Sequence, residues 1–310
     1  MAHEPKTQHW VPQSYLLDWC DPATPAAHEP YVWVYGKDAR RGRNKAPKNL
    51  FAEQHMYTLP EPAADRYALE GFLGRVESSF ARIRRDKLTP RQPLTPSDKG
   101  WLALFIAAMH SRTPAFREHH RAQWQRVLDV AEDMQRGMEQ MTPEQREGLR
   151  SMSKVASGGG PSMSMDEVRA MARHPIQTML LPTIKAEARI YPRMTFAVLC
   201  TDSSPGFITS DNPVAWFDPE AWRRPPMWRS RGLGCQTIEV TLPISPRQLM
   251  VLCWDKTLQS EYLDVPETTV DEANRLTRAH AREHFVVGAN IVRDSWFDLG
   301  SAPTGAAPAG

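Results

Sequence analysis

A serine, an aspartate and an asparagine stand in a row at Ser210, Asp211 and Asn212, between the end of the apolar run Phe207–Thr209 and Pro213. A hydroxyl, a carboxylate and an amide at the end of a strand can do one of two things. They can cap their own turn, because these side chains bond backbone groups a residue or two further on. Past a strand's carboxyl end they can instead line a cleft, where the acid orients water or a metal ion and its neighbours hold a polar ligand. The three residues alone do not separate these readings.

Arg112 poses a related question. It follows the apolar segment Trp101–Met109 on the line of Phe105, Met109 and Phe116, so the spacing predicts a buried guanidinium. A buried charge needs a partner, since an unpaired one is prohibitively costly. Glu77 and Glu70, at the edge of a neighbouring apolar stripe, and Asp211 are the available acids, with Glu77 preferred. Taken alone, such a pair is an ordinary structural ion pair; the functional reading rests on the number of such residues.

Other chemistry is absent or poorly supported. The chain has no GxxxxGK[ST] phosphate loop and no GxSxG nucleophile elbow. "GLGCQT" opens a strand-like run rather than a helix, against a dinucleotide fingerprint. "HAREH" (His280–His284) matches HxxEH, which on a helix sets two imidazoles one turn apart. A zinc protease of that type also needs a carboxylate ligand further along, and no Glu follows His284, so zinc is not expected there.

The elements that would position these groups are legible from periodicity. "PQSYLLDW" reads as a short helix and "YVWVY" (Tyr31–Tyr35) as a strand. Leu69, Phe72, Leu73, Val76, Phe80 and Ile83 form one stripe of a helix over about 64–85. "TPSD" (Thr95–Asp98) caps the next helix, apolar nearly all round from Trp101 to Met109 and therefore expected at the centre of the core. "RTP" (Arg112–Pro114) breaks or kinks it. The following helix carries Trp124, Val127, Leu128, Ala131, Met134 and Met138 on one face, read as core. "TPEQ" (Thr142–Gln145) and "SMDE" (Ser164–Glu167) cap two more, and "SGGGPS" (Ser157–Ser162) separates them. From Met194 the runs "MTFAVLC", "FIT", "CQTIEVTL" and "LMVLCW" are strand-like, with "PISP" closing a hairpin. A capped helix over "TVDEANRLTRAHAREHF" follows, then "FVVG" as an edge strand. The expected fold is α+β, with a mainly helical N-terminal half packed on a mostly antiparallel sheet from the C-terminal half. We expect a single domain over 1–300, with a helical lobe at about 60–190, a sheet lobe at about 194–290 and a disordered tail at 301–310.

Composition narrows the partners. Across 310 residues, Lys+Arg 38 nearly balances Asp+Glu 36, against a protein that simply coats nucleic acid or an anionic membrane. The basic runs Arg40–Lys48 and Arg223–Arg231 read as solvated loops, and the Trp and Pro residues of the second leave it open as a loop over a site. The longest apolar run, Trp101–Met109, is too short to span a bilayer, and "MAHEPKTQHW" has no signal-peptide core. Cys20, Cys200, Cys235 and Cys253 form no CxxC pair, and three sit in or beside apolar runs. That is the usage of buried free thiols in a reducing cytoplasm, which is the expected location.

"QHWVPQSYLLDW", "KNLFAEQHMYT", "RVESSF", "HSRTPAF", "FITSDNPV" and "LPISP" occur in that order from His9 to beyond Leu242. In this succession the chain resembles the bacterial domain-of-unknown-function family 4238, over about His9–Phe285. Departures are the Arg/Pro/Trp-rich insertion at 222–231 and the long Met-rich helical middle. The resemblance implies no activity; it marks His9, Gln13, Lys48, Glu77, Arg112, Ser210, Asp211 and Asn212 as signature polar positions. Imidazole, ammonium, guanidinium and carboxylates together suit a substrate with anionic oxygens. The leading expectation is phosphoester hydrolysis in a nucleotide or nucleic acid. His9, Asp211 and Glu77 would be catalytic, Mg²⁺ or Mn²⁺ could be held by the acids, and Gln13, Lys48, Arg112, Ser210 and Asn212 would bind substrate. Two alternatives stand beside it: a non-catalytic binding module with a structural polar network, and a biosynthetic enzyme for a carboxylate or peptide substrate.

Overall fold

Local signals place most element boundaries. The computed structural model describes residues 7–60, 64–156, 163–225, 227, 232–258 and 260–298. The expectations for 157–162 and 301–310, and for part of the Arg223–Arg231 run, lie outside the described residues. In chain order the elements are β1 (Thr7–His9), α1 (Gln13–Leu16), β2 (Val32–Gly36), β3 (Arg43–Lys45), β4 (Ala52–Gln54) and α2 (Ala68–Ile83). Next come α3 (Pro96–Ser111), α4 (Pro114–Glu139), α5 (Pro143–Ala156), α6 (Met165–Arg173), α7 (Pro175–Ile190), β5 (Thr195–Cys200), β6 (Thr209–Ser210) and β7 (Ala215–Phe217). The last are β8 (Glu239–Ser245), β9 (Gln248–Cys253), β10 (Tyr262–Asp264), α8 (Glu267–His280) and β11 (His284–Val287). The fold is α+β, with helices concentrated in the first half and strands in the second.

Three helix starts follow from capping chemistry. Thr95 Oγ1 accepts from the Asp98 N–H while the Asp98 carboxylate accepts from the Thr95 N–H, a capping box that opens α3. Ser164 and Glu167 do the same for α6. Thr113 caps α4 through the Phe116 N–H, and Pro114 occupies the first helical position, where its missing donor costs nothing. "RTP" therefore ends one helix and starts another.

α3 lies at the centre. Leu102, Ala103, Phe105, Ile106, Ala107, Ala108 and Met109 are buried, with Trp101 and Leu104 half-buried on its outer side. Phe105 stacks on Phe80 of α2 at a centroid distance of 3.7 Å, and Tyr15 of α1 tilts against both rings. The main hydrophobic cluster joins α1, α2, α3 and α7 to β5, β8 and β9. The strands form a five-stranded sheet in the order β10-β5-β9-β8-β7, a four-stranded sheet β3-β2-β11-β6 and a β1-β4 pair. All pairings are antiparallel except β10 with β5. Among the described residues no helix is long and apolar enough to cross a membrane.

Four expectations change. Val127, Met134 and Met138 are exposed, not core: α6 covers only the part of α4 around Trp124 and Leu128. β11 is interior, between β2 and β6, because the short β6 supplies the outer edge. The cysteines are free, but only Cys200 is fully buried. α7 has no separate counterpart in the sequence reading, since Pro182 sits inside it and proline normally breaks a helix.

The stacked ring at the centre makes Phe105→Ala costly. We expect a loss of about 3–5 kcal/mol from cavity formation, read as a lower urea midpoint at unchanged slope. A loss under about 1 kcal/mol would mean that the site collapses freely, which this packing does not allow.

Candidate functional site

Five of the signature residues meet where the N-terminal segment crosses the end of α3. The Arg112 guanidinium is 1% exposed and all three of its nitrogens are engaged. Nε donates to the Trp10 carbonyl at 2.7 Å, Nη1 to Glu77 Oε1 at 2.7 Å and Nη2 to the His9 carbonyl at 3.2 Å. Glu77 is thus the partner, and Tyr57 Oη donates to the Arg112 carbonyl at 3.1 Å. The His9 ring reaches the Lys48 carbonyl through Nε2 at 3.1 Å, with the Gln13 amide 3.2 Å from the same nitrogen. Burial holds the His9 imidazole below its ordinary value. The Lys48 ammonium points elsewhere: it pairs with Glu29 at 2.7 Å on the surface.

The Ser210–Asp211–Asn212 turn lies next to this group, because Trp10 Nε1 donates to the Asp211 carbonyl at 3.1 Å. The N-terminal segment thus folds back over the end of the "FIT" strand. Asp211 itself is 6% exposed, and its carboxylate accepts from the backbone N–H groups of Arg282, Glu283 and His284 at 2.8, 2.8 and 2.9 Å. Burial pushes the Asp211 carboxyl above the usual carboxylate range, and these three bonds pull it back. A carboxylate accepts at about four lone-pair sites, so three are already used by the protein. Ser210 Oγ accepts from the Asn212 N–H at 3.2 Å, and Asn212 Nδ2 donates to the His280 carbonyl at 3.1 Å. The geometry gives Asp211 the task of holding the α8–β11 junction rather than orienting a metal. Among the described residues no three His, Cys, Asp or Glu side chains are placed to hold a metal ion. His280 ends α8 and His284 begins β11, so the HxxEH pair is not on one helix.

A second set, absent from the sequence reading, surrounds a cleft of about 460 Å³ between the end of α3, the start of α4, α7 and β7. His110, in the last turn of α3, points Nδ1 at Glu187 Oε1, 2.8 Å away. Glu187 is 6% exposed, and its other oxygen accepts from Tyr191 Oη, one turn along, at 2.9 Å. The carboxylate is therefore bonded on both oxygens and fixes the imidazole in one orientation. The Nδ1 proton faces the acid, which leaves Nε2 as the ring nitrogen with no bond to the protein among the described residues. The His110 ring stacks on Trp216 at 4.4 Å and 20°. His120 packs on Phe116 at 4.1 Å and meets His119 at 5.5 Å; all three residues line the cleft, as do Asn212 and His280. Burial, then the nearby His119 and His110, hold His120 below the ordinary imidazole value. The run "HSRTPAF" carries His110 as a signal; Glu187 lies in the helix that Pro182 disguises, and Tyr191 caps its end.

Arg112→Ala should cost on the order of 3–5 kcal/mol, leaving two carbonyls and Glu77 without their donor. Glu77→Gln should cost clearly less, because Glu77 keeps solvent contact at 28% side-chain exposure; an equal or reversed order in melting temperature would contradict this. His120 has a folded pKa below its unfolded value of 6.5. The unfolded chain therefore binds more protons near pH 6, so this contribution to stability is intact above pH 6.5 and is lost as pH falls through the folded value. The fall in urea midpoint from pH 7.5 to pH 5.5 should shrink in His120→Gln, and an unchanged fall would refute the assignment.

No curated protein and no solved structure matches the chain. Residues 7–290 match the family described as protein of unknown function DUF4238, and with nearly its whole length covered the chain belongs to that family.

Proposed function

We propose that the chain hydrolyses a phosphoester in a nucleotide or nucleic acid, and that imidazoles carry out the acid–base chemistry at the His110 cleft. The observation behind this reading is the buried Glu187 carboxylate. It holds His110 at one nitrogen, and Tyr191 holds the carboxylate in turn. An imidazole whose Nδ1 is fixed by a carboxylate is set up to accept a proton at Nε2. Water would give that proton to His110 as its oxygen attacks phosphorus. The ester P–O bond breaks, and His120 as imidazolium protonates the leaving oxygen. The depressed His120 pKa makes it a willing acid but leaves it mostly neutral above pH 6.5, so turnover should fall as pH rises beyond that value. Trp216 and Phe116 offer aromatic walls against which a base can lie, and the Asn212 amide flanks the same space.

Within this proposal Arg112, Glu77 and the N-terminal residues position the Asp211–Asn212 turn, and through it one wall of the cleft. A non-catalytic module is the second reading. It is favoured by the fact that Arg112 and Asp211 spend their polar groups on the protein's own backbone.

The test is turnover of bis-(p-nitrophenyl) phosphate and of a short RNA, with EDTA or with added Mg²⁺ or Mn²⁺. Activity should survive EDTA. His110→Ala should lose about 10²–10⁴-fold in kcat with its melting temperature kept, and Glu187→Gln should lose less. His9→Gln, which reports on the N-terminal set, should retain turnover. Loss of activity in His9→Gln but not in His110→Ala would move the chemistry to His9, Glu77 and Asp211. A folded protein with no turnover under any condition would leave the binding-module reading.

A further inference from the structure

Between α8 and the five-stranded sheet lies a cavity of about 400 Å³. Its floor is one face of the five-stranded sheet. Leu199 and Leu249 are cross-strand partners there, as are Thr241 with Val251 and Phe217 with Glu239. Val270 and Ala273, in the first half of α8, pack against Leu249 and close one end. Leu276, Ala279 and His280, further along the helix, form the roof.

Apolar walls around one acid make this cavity unusual. The Glu239 carboxylate has no hydrogen bond and no ion pair among the described residues, and burial alone raises its pKa. A half-buried acid beside leucine and phenylalanine is disfavoured unless a cation joins it. Two other charged groups stand on the rim, Glu272 and Arg275, both from α8 and both without an ion-pair partner among the described residues. The volume falls within the range of small-molecule sites, about 300–1,000 Å³.

We propose that this cavity binds a small molecule with an apolar body and a primary ammonium group, the ammonium on Glu239 and the body against Leu199, Leu249, Val251 and Leu276. The site is independent of the His110 chemistry, although His280 borders both spaces. Arg275 is placed to take an anionic end, so a simple amine and an apolar amino acid are the two sources of the same chemistry.

Titration calorimetry with 2-phenylethylamine, phenylalanine and 2-phenylethanol tests the site. The amine should bind about tenfold or more tightly than the alcohol of the same shape. Phenylalanine binding more tightly than the amine, with the gain lost in Arg275→Ala, would identify the amino acid as the better ligand; no gain would identify the simple amine. Glu239→Gln should reduce amine affinity about tenfold without lowering the melting temperature, because the carboxylate has no partner to lose. Val251→Phe, which fills the floor, should abolish binding of both amines. Equal affinity for the alcohol and the amine, unchanged amine affinity in Glu239→Gln, or no binding at about 10 mM ligand would overturn the proposal.

Discussion

The guanidinium of Arg112 is the constraint on which the N-terminal third depends. A charge buried to 1% exposure must be paired and fully bonded, and this one spends its donors on Glu77 and on the carbonyls of His9 and Trp10. Those two carbonyls belong to the last residue of β1 and the residue after it, where the chain leaves the short β1–β4 pair and turns into α1. Arg112 therefore decides where that segment lies. Once it lies there, Trp10 meets Asp211, and Tyr15 reaches the Pro243 carbonyl at 2.6 Å and Thr209 Oγ1 at 2.7 Å. An N-terminal strand and helix are thereby locked to strands some two hundred residues away.

Asp211 passes the constraint on. Its carboxylate gathers three successive backbone N–H groups at the point where α8 ends and β11 begins. Burial that would be costly for an isolated acid is offset because every bond is to a fixed donor. The same turn carries Asn212, whose amide ties down the His280 carbonyl. The residues with the most conspicuous chemistry in the sequence are thus the ones that hold the frame. His110, His119 and His120 sit one layer away, where α3 ends and α4 starts.

Much of the frame was legible because it obeys short-range rules. The capping boxes at Thr95 and Ser164, the all-apolar face of α3 and the Arg112–Glu77 pair all follow from spacing within one or two elements. What was not legible depends on tertiary context. Nothing local says that Asp211 will find 282–284, or that Glu187 will lie beside His110, since each pairing needs two distant elements to dock. Pro182 hid the helix that carries Glu187, and the apolar stripe of α4 looked like core although the helix outruns the body that could cover it. A periodic stripe reports that a face is apolar, not that something is there to bury it.

The claim that Asp211 serves the fold is tested most directly by amide hydrogen exchange at Arg282, Glu283 and His284. These three N–H groups should be protected in the wild-type chain, as bonds to a buried carboxylate require. In Asp211→Ala they should exchange at rates near those of an open chain, while the β8–β9 hairpin keeps its protection. Unchanged protection at all three positions would contradict the account and release the carboxylate for chemistry.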